Sequence, residues 1–500
     1  MAWLDGEHYW LVRFCFERGL GFIYLVAFLS AAFQCRPLCG VRGFLPAWLF
    51  LKRTRFRDSP SVFWGWCNDR AFATAGWGGV VLAALAMTGV SERFGLVASM
   101  AVWAGLWVLY LSFVNIGQTF YSFGWESILC EAGFLAIFLG DAHTAPPVLV
   151  IWLLCWLLFR VMFGAGMIKL RGDPCWRDNT CLYYHYETQP MPNPLSWHFH
   201  HSPKWLHRMG VRFNHVAELI APFGVFLPAP VCYIAGGIMI VFQLTLILSG
   251  NLSFLNYLTL VLCIPAFTDA PLQPILPIDA PPAMQGGPWA FDALVIAVTL
   301  LVIALSYRPI INMLSSKQVM NRTFDPLHLV GTYGAFGSVT RKRHEVVIEG
   351  TDEPTVTGQT RWHEYRFKGK IGDVSARPAI VSPYHLRLDW QMWFLPLMGS
   401  YQHHPWLLHF VAKLLVNDDA TLKLLKHNPF PNAPPTYVRA RLYEYRFTTR
   451  AEWRKTGQWW VRSELGLYLP AVSLNDAGFV EILRQRGWWQ LVRDKPNASE

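Results

Sequence analysis

Charge is scarce in this sequence: Asp, Glu, Lys and Arg supply only 15% of its 500 residues, against 53% hydrophobic residues. So few charges do not cover an ordinary soluble enzyme of this length. Cysteine is absent from the C-terminal part, since all ten lie at or before Cys263, so that region folds without disulfides. No nucleophile elbow, P-loop, HExxH pair or dinucleotide-binding glycine fingerprint occurs in the chain. The common hydrolase, nucleotide-binding and zinc-protease chemistries therefore lack their signatures.

The apolar residues are gathered into runs rather than spread at amphipathic spacing. Runs at 14–33, 72–90, 94–114, 147–168, 231–249 and 290–307 are each long enough to cross about 30 Å of hydrocarbon. Weaker runs at 124–140, 214–229 and 252–267 carry Glu126, Glu131, Glu218 and Asn256. The pattern predicts an α-helical polytopic membrane bundle of about 7–9 spans over residues 1–307. The first run lacks a small-residue cleavage site and reads as an anchor rather than a removed signal peptide. Two large loops interrupt the bundle, 34–71 with seven basic residues and 169–212. A third segment, 268–289, is proline-rich and reads as a stiff surface link.

Residues 308–500 differ in kind. They hold 26 Lys and Arg against 17 Asp and Glu, whereas residues 1–307 hold 17 against 16. A tail of this length is large enough for its own core. Strand-like patterning at 344–350, 362–370, 384–394, 437–447 and 458–469 brackets helical spacing at 405–416 and 418–427. The expectation is a soluble, β-rich α+β or sandwich-like domain. Its positive balance suits anionic lipid headgroups or an acidic protein surface. Nucleic acid is not an expected partner, because no recognition motif accompanies the charge.

Chemistry concentrates in the second loop, where Lys169, Arg171, Asp173, Arg177, Asp178, His185 and Glu187 follow a glycine-containing helix end. Cys175 and Cys181 are spaced for a structural disulfide if the backbone turns, but free thiols or a redox pair fit the same spacing. Six of sixteen histidines fall between His185 and His215, yet no Cys or carboxylate stands beside them at a recognised metal spacing, so no metal or other cofactor is expected. Within the apolar runs, Arg160, Lys169, Glu126 and Glu131 form a candidate intramembrane polar cluster. Buried ionisable groups of this kind need partners, and pairing of Arg160 with Glu126 or Glu131 would provide one. Gly164 and Gly166 permit close backbone approach or helix opening.

Several of these stretches are shared with a known family. GAGMIKLRGDPCWRDNTCLYYHYETQPMPNP (164–194), FGWESILCEAGF (123–134), SGNLSFLNYLT (249–259), HLVGTYGAFGSVT (328–340) and SPYHLRLDWQMWF (382–394) resemble the lipase maturation factor family nearly end to end. The resemblance implies a multi-pass membrane protein whose large loops and C-terminal domain face the endoplasmic reticulum lumen in animals. The short loops look like those of a bacterial member, where the inner membrane and the periplasm would correspond. It also implies a chaperone-like role in folding and assembly of exported lipases or related hydrolases. Client contacts would then come from Trp176, Arg177, His185, Glu187, Gln189 and Asn193, on a loop braced by Cys175 and Cys181. The concentration of Lys and Arg on that face favours the cytoplasm by the positive-inside rule, against the family. The membrane half is also distantly similar to the vitamin K-dependent carboxylase. The rival expectation is a membrane enzyme in which Arg160, Lys169, Glu126, His185 and Glu187 converge on one cavity.

Overall fold

A computed structural model describes residues 5–278 and 284–493. Six helices in it are long and apolar enough to cross a membrane: Glu7–Cys39, Asp69–Thr88, Leu96–Ile116, Val148–Arg171, Val231–Ser249 and Trp289–Leu314. Each falls on one of the six strong apolar runs. The weaker runs form shorter elements. Gly124–Ala136 is a helix buried along almost its whole length. The 214–229 run is broken by a π-helical turn at Val216–Ile220. Leu255–Cys263 continues into a short 3-10 turn.

Contacts sort these elements into a bundle with two ends. At one end Gly6 N–H donates to the Pro146 carbonyl, and Gln285 N–H donates to that of His143, both at 2.9 Å. There Asp269, in the described part of the 268–289 link, accepts the Val12 N–H at 3.0 Å. Residues 279–283 of that link lie outside the described residues. At the other end both large loops meet the tail. Arg42 donates to the Leu491 carbonyl at 2.9 Å, and Asp173 lies 2.7 Å from Arg341. The short segments carry the chain between the two ends wherever a long helix does not.

The tail is built on a four-stranded antiparallel sheet in the order His363–Glu364, Arg343–Thr351, Tyr437–Phe447, Trp460–Val472. Register is unbroken between the two central strands, from Arg343 opposite Tyr445 to Thr351 opposite Tyr437. Strands at 344–350, 437–447 and 458–469 lie where the alternation places them. Residues 384–394 do not: Arg387–Phe394 is a helix. Its alternating Leu386, Leu388, Trp390 and Met392 imitate a strand because buried Arg387, Asp389 and Gln391 occupy the intervening positions. The 418–427 stretch is likewise only partly helical. Asp418 caps Asp419–Leu422 by accepting the Thr421 N–H, and Leu425–His427 then pairs as a strand.

The tail does not keep its apolar residues to itself. One cluster of buried side chains runs from the membrane helices into the tail without a break. Phe44 of the first loop, for example, packs edge-on against Phe410 with ring centroids 5.3 Å apart.

Candidate functional site

The second loop starts where helix Val148–Arg171 ends. Gly172 turns the chain, and Asp173 caps the next turn by accepting the Cys175 N–H at 3.0 Å. That turn brings Cys175 and Cys181 together in a disulfide, Cα atoms 4.7 Å apart. The pair packs with Trp176, Val211 and, from the tail, Val339. Asp173 also receives both outer nitrogens of Arg341, at 2.7 and 2.9 Å. Hydrogen bonding from Arg341 holds the Asp173 carboxyl down at about 2.

Four of the six loop residues expected to face a client are buried: Trp176, His185, Gln189 and Asn193. Each is consumed within the fold. Trp176 donates its indole N–H to the Phe336 carbonyl at 2.9 Å. His185 meets the Phe336 ring edge-on at 5.1 Å. Burial, followed by nearby Lys169, holds this imidazole down at about 4. Gln189 donates to the Ser249 carbonyl at 2.8 Å. Asn193 accepts the Leu195 and Ser196 N–H groups and donates to the Ile247 and Leu248 carbonyls. These residues shape the loop, and Asn193 and Gln189 tie it to the membrane helix Val231–Ser249. Glu187 is half-buried and accepts the Phe447 N–H from the tail at 2.6 Å. Arg177 alone of the six is exposed.

The tail and this loop are joined by further hydrogen bonds from both sides. The Arg343 guanidinium donates to the carbonyls of Glu187 (2.9 Å), Gln189 and Pro190 (3.0 Å). Trp393 donates to the Thr188 carbonyl at 3.1 Å, and Trp197 to that of Thr448 at 2.9 Å. Backbone carbonyls leave no side-chain pattern in a sequence, so Arg343 carried no signal. Trp393 does lie in an unusually aromatic stretch, which is a signal of a kind.

The candidate polar cluster is divided among three sites. Arg160 pairs with Glu131, which also accepts the Tyr333 hydroxyl at 2.7 Å. Glu126 instead meets Arg387 of the tail at 2.7 Å, with His385 Nδ1 at 3.3 Å. Lys169 donates to Glu218 at 2.6 Å and to Asn214 at 2.9 Å. The expected convergence of Arg160, Lys169, Glu126, His185 and Glu187 is therefore not formed, because each carboxylate found a nearer cation or backbone donor. Gly164 does permit close approach, since a Cβ there would run into the Tyr333 carbonyl oxygen.

Beneath the loop lies a cavity of about 960 Å³, walled by helices Val148–Arg171 and Val231–Ser249, the loop, and tail helix Arg387–Phe394. Lys169, His185, Glu218 and Trp176 line it, whereas Arg160, Glu126 and Glu187 do not. Among the described residues, no three His, Cys, Asp or Glu side chains are grouped to hold a metal ion.

A family model described as the lipase maturation factor transmembrane domain matches residues 11–274, and one described as the lipase maturation factor C-terminal domain matches residues 329–470. Human lipase maturation factor 1 is 42% identical, over 97% of this chain and 92% of its own length. Lipase maturation factor 1 of Mus musculus is 41% identical, over 96% and 90%. Lipase maturation factor 2 of Xenopus laevis is 30% identical, over 99% and 86%. No solved structure matches the chain.

Proposed function

The chain belongs to the lipase maturation factor family, and from that premise we propose that it is a membrane-anchored maturation factor assisting folding and assembly of exported lipases or related hydrolases. The observation that carries the reading is the interlock of loop and tail. The Arg343 guanidinium, bonded to three carbonyls of the loop backbone, makes one rigid surface from two distant parts of the chain. A rigid platform suits a chaperone that holds partly folded subunits until they pair, limiting aggregation of exposed apolar surface.

In this reading the client meets Arg177 and the accessible side of Glu187, while Trp176, His185, Gln189 and Asn193 hold the loop in shape. The shared end of the bundle faces the endoplasmic reticulum lumen in a eukaryote or the periplasm in a bacterium. Membrane lipids surround the six long apolar helices.

Deleting the protein and following exported hydrolases tests the role. The expected result is lost lipase activity with the lipase polypeptide still present. Undiminished specific activity of every exported lipase would overturn the proposal. A photo-crosslinker at position 177 should capture such a hydrolase in wild-type cells.

A further inference from the structure

The first large loop gathers positive charge on its surface. Lys52, Arg53, Arg55 and Arg57 are sequence neighbours and all are exposed. Asp58 is the one acidic residue among them, 3.6 Å from Arg57. Lys52 lies over the Trp48 ring, 4.6 Å from its centroid. The Arg53 and Arg55 guanidinium groups have no partner among the described residues. Large apolar side chains are interleaved with this charge. Phe56 is 58% exposed, Val62 45% and Trp66 77%. Single apolar residues on a surface are ordinary, but three on one basic loop suit a surface that meets apolar material.

Hydrogen bonds fix the depth of this loop. Helix Leu96–Ile116 has 21 residues, about 31 Å of rise, which just covers about 30 Å of hydrocarbon. Its last turn therefore stands at the boundary, and that turn holds the loop. Ser59 Oγ donates to the Asn115 carbonyl at 2.8 Å, and the Asn115 amide donates to the Pro60 carbonyl at 2.8 Å. Val62 N–H donates to Ser112 Oγ at 3.0 Å. Phe63 is buried between them, edge-on to Phe72 at 4.7 Å and to Phe113 at 5.1 Å. Trp66 stands just before Asp69, where the next long apolar helix begins. The Phe56 ring meets Trp64 at 6.1 Å and so shares this level. Here hydrocarbon gives way to headgroups, the zone in which tryptophan is favoured. Positive charge alone would suit an acidic polypeptide as well; exposed apolar side chains at this depth favour the lipid leaflet.

We propose that residues 52–66 bind anionic phospholipids of the leaflet that borders the tail. Phe56, Val62 and Trp66 enter the leaflet, while Arg53 and Arg55 pair with its negatively charged headgroups. Binding there holds the first loop against the bilayer and, through the contact of Phe44 with Phe410, the tail as well. This surface is independent of the client proposal, because lipid preference and lipase activity are read separately.

Photoactivatable phosphatidylglycerol and photoactivatable phosphatidylcholine, each titrated into nanodiscs that hold the full-length protein, test it. Phosphatidylglycerol should label segment 52–66 at a lower mole fraction than phosphatidylcholine. Arg53→Gln and Arg55→Gln should each raise the mole fraction for half-labelling about fivefold, the effect of one cation at a charged surface. Neither change should move the melting temperature, since neither guanidinium has a partner within the fold. Salt at about 0.5 M should remove the preference. Trp66→Ser should lower labelling by both lipids. Equal labelling by the two lipids at low salt would overturn the proposal, as would a preference that survives the double variant Arg53→Gln with Arg55→Gln. A photo-crosslinker at position 55 that captures an acidic polypeptide in place of lipid would assign the surface to that partner and overturn it too.

Discussion

Arg387 in the C-terminal half places a guanidinium nitrogen 2.7 Å from Glu126 in the membrane half, and both side chains are fully buried. The same guanidinium donates to the Phe120 carbonyl at 2.8 Å and stacks 3.5 Å from the Tyr121 ring centroid. Removing one partner of such a pair strands the other charge, which costs about 3–5 kcal/mol. Arg387→Leu should therefore lower the melting temperature of the purified protein sharply. Replacing Glu126 by Leu as well should restore part of the loss. A single variant as stable as wild type would show that the halves are not joined here.

Arg160 and Tyr333 provide a graded comparison at the neighbouring carboxylate, Glu131. Arg160→Leu removes the counter-charge and should cost about 3–5 kcal/mol. Tyr333→Phe removes only one donor to a charged acceptor and should cost about 1.5–3 kcal/mol. Thermal unfolding of the two variants side by side should preserve that order; the reverse order would mean that Glu131 does not depend on Arg160 for its charge.

The sequence made the six long helices legible because membrane crossing is a property of composition over about 20 residues, and such a property survives any tertiary arrangement. Strand Tyr437–Phe447 was legible in its bounds, although its alternation changes phase at Arg441–Leu442, where the register with Trp460–Val472 is irregular. Helix Arg387–Phe394 was not, because it is buried on nearly every side and shows no amphipathic stripe. The ion pairs were half legible. Glu126, Glu131 and Arg160 were visible as costly exceptions within apolar runs, which demands partners without naming them. Arg387 is 261 residues from Glu126, and no local rule spans that distance. The burial of Trp176, His185, Gln189 and Asn193 was not legible for a related reason: polar and aromatic side chains read alike whether they meet a client or the chain's own backbone.

Histidine gives the protein a directional response to acid. His185, His200, His328 and His385 are each held down at about 4, with burial the leading cause. In the unfolded chain they titrate near 6.5. Between those values the unfolded state binds more protons, so stability rises with pH from about 4 to 6.5 and levels above it. His185→Phe keeps a ring against Phe336 and removes one of these protons. Melting temperatures across pH 4–7 should show a shallower slope for the variant, by about 1.4 kcal/mol per pH unit. Parallel curves would mean that His185 is not held neutral by its surroundings.

The Cys175–Cys181 disulfide closes a ring of sequence separation 6, for which chain entropy alone supplies about 2 kcal/mol. Because Val339 and Trp176 pack on it, the effect should be local. Cys175→Ala with Cys181→Ala should speed hydrogen exchange over residues 173–188 and leave the sheet strand Tyr437–Phe447 unchanged. Uniformly faster exchange would instead indicate that the disulfide stabilises the whole fold.

Gly164 allows a test in which two effects have opposite signs. Alanine is the better helix former, by about 1 kcal/mol, so Gly164→Ala in the interior of helix Val148–Arg171 would stabilise if nothing lay against it. The Tyr333 carbonyl does lie against it, at a separation that a methyl group cannot share. Backbone cannot swing aside as a long side chain can, and Tyr333 is also anchored through its hydroxyl to Glu131. Overpacking of this kind typically costs about 1–3 kcal/mol, which outweighs the propensity gain. Gly78, within helix Asp69–Thr88, faces open space where a methyl group would sit, with nothing within 4 Å, so Gly78→Ala should be neutral or stabilising. Melting temperatures that fall for Gly164→Ala and hold for Gly78→Ala would place the tail's backbone directly on the membrane helix, and a rise for both would remove it from there.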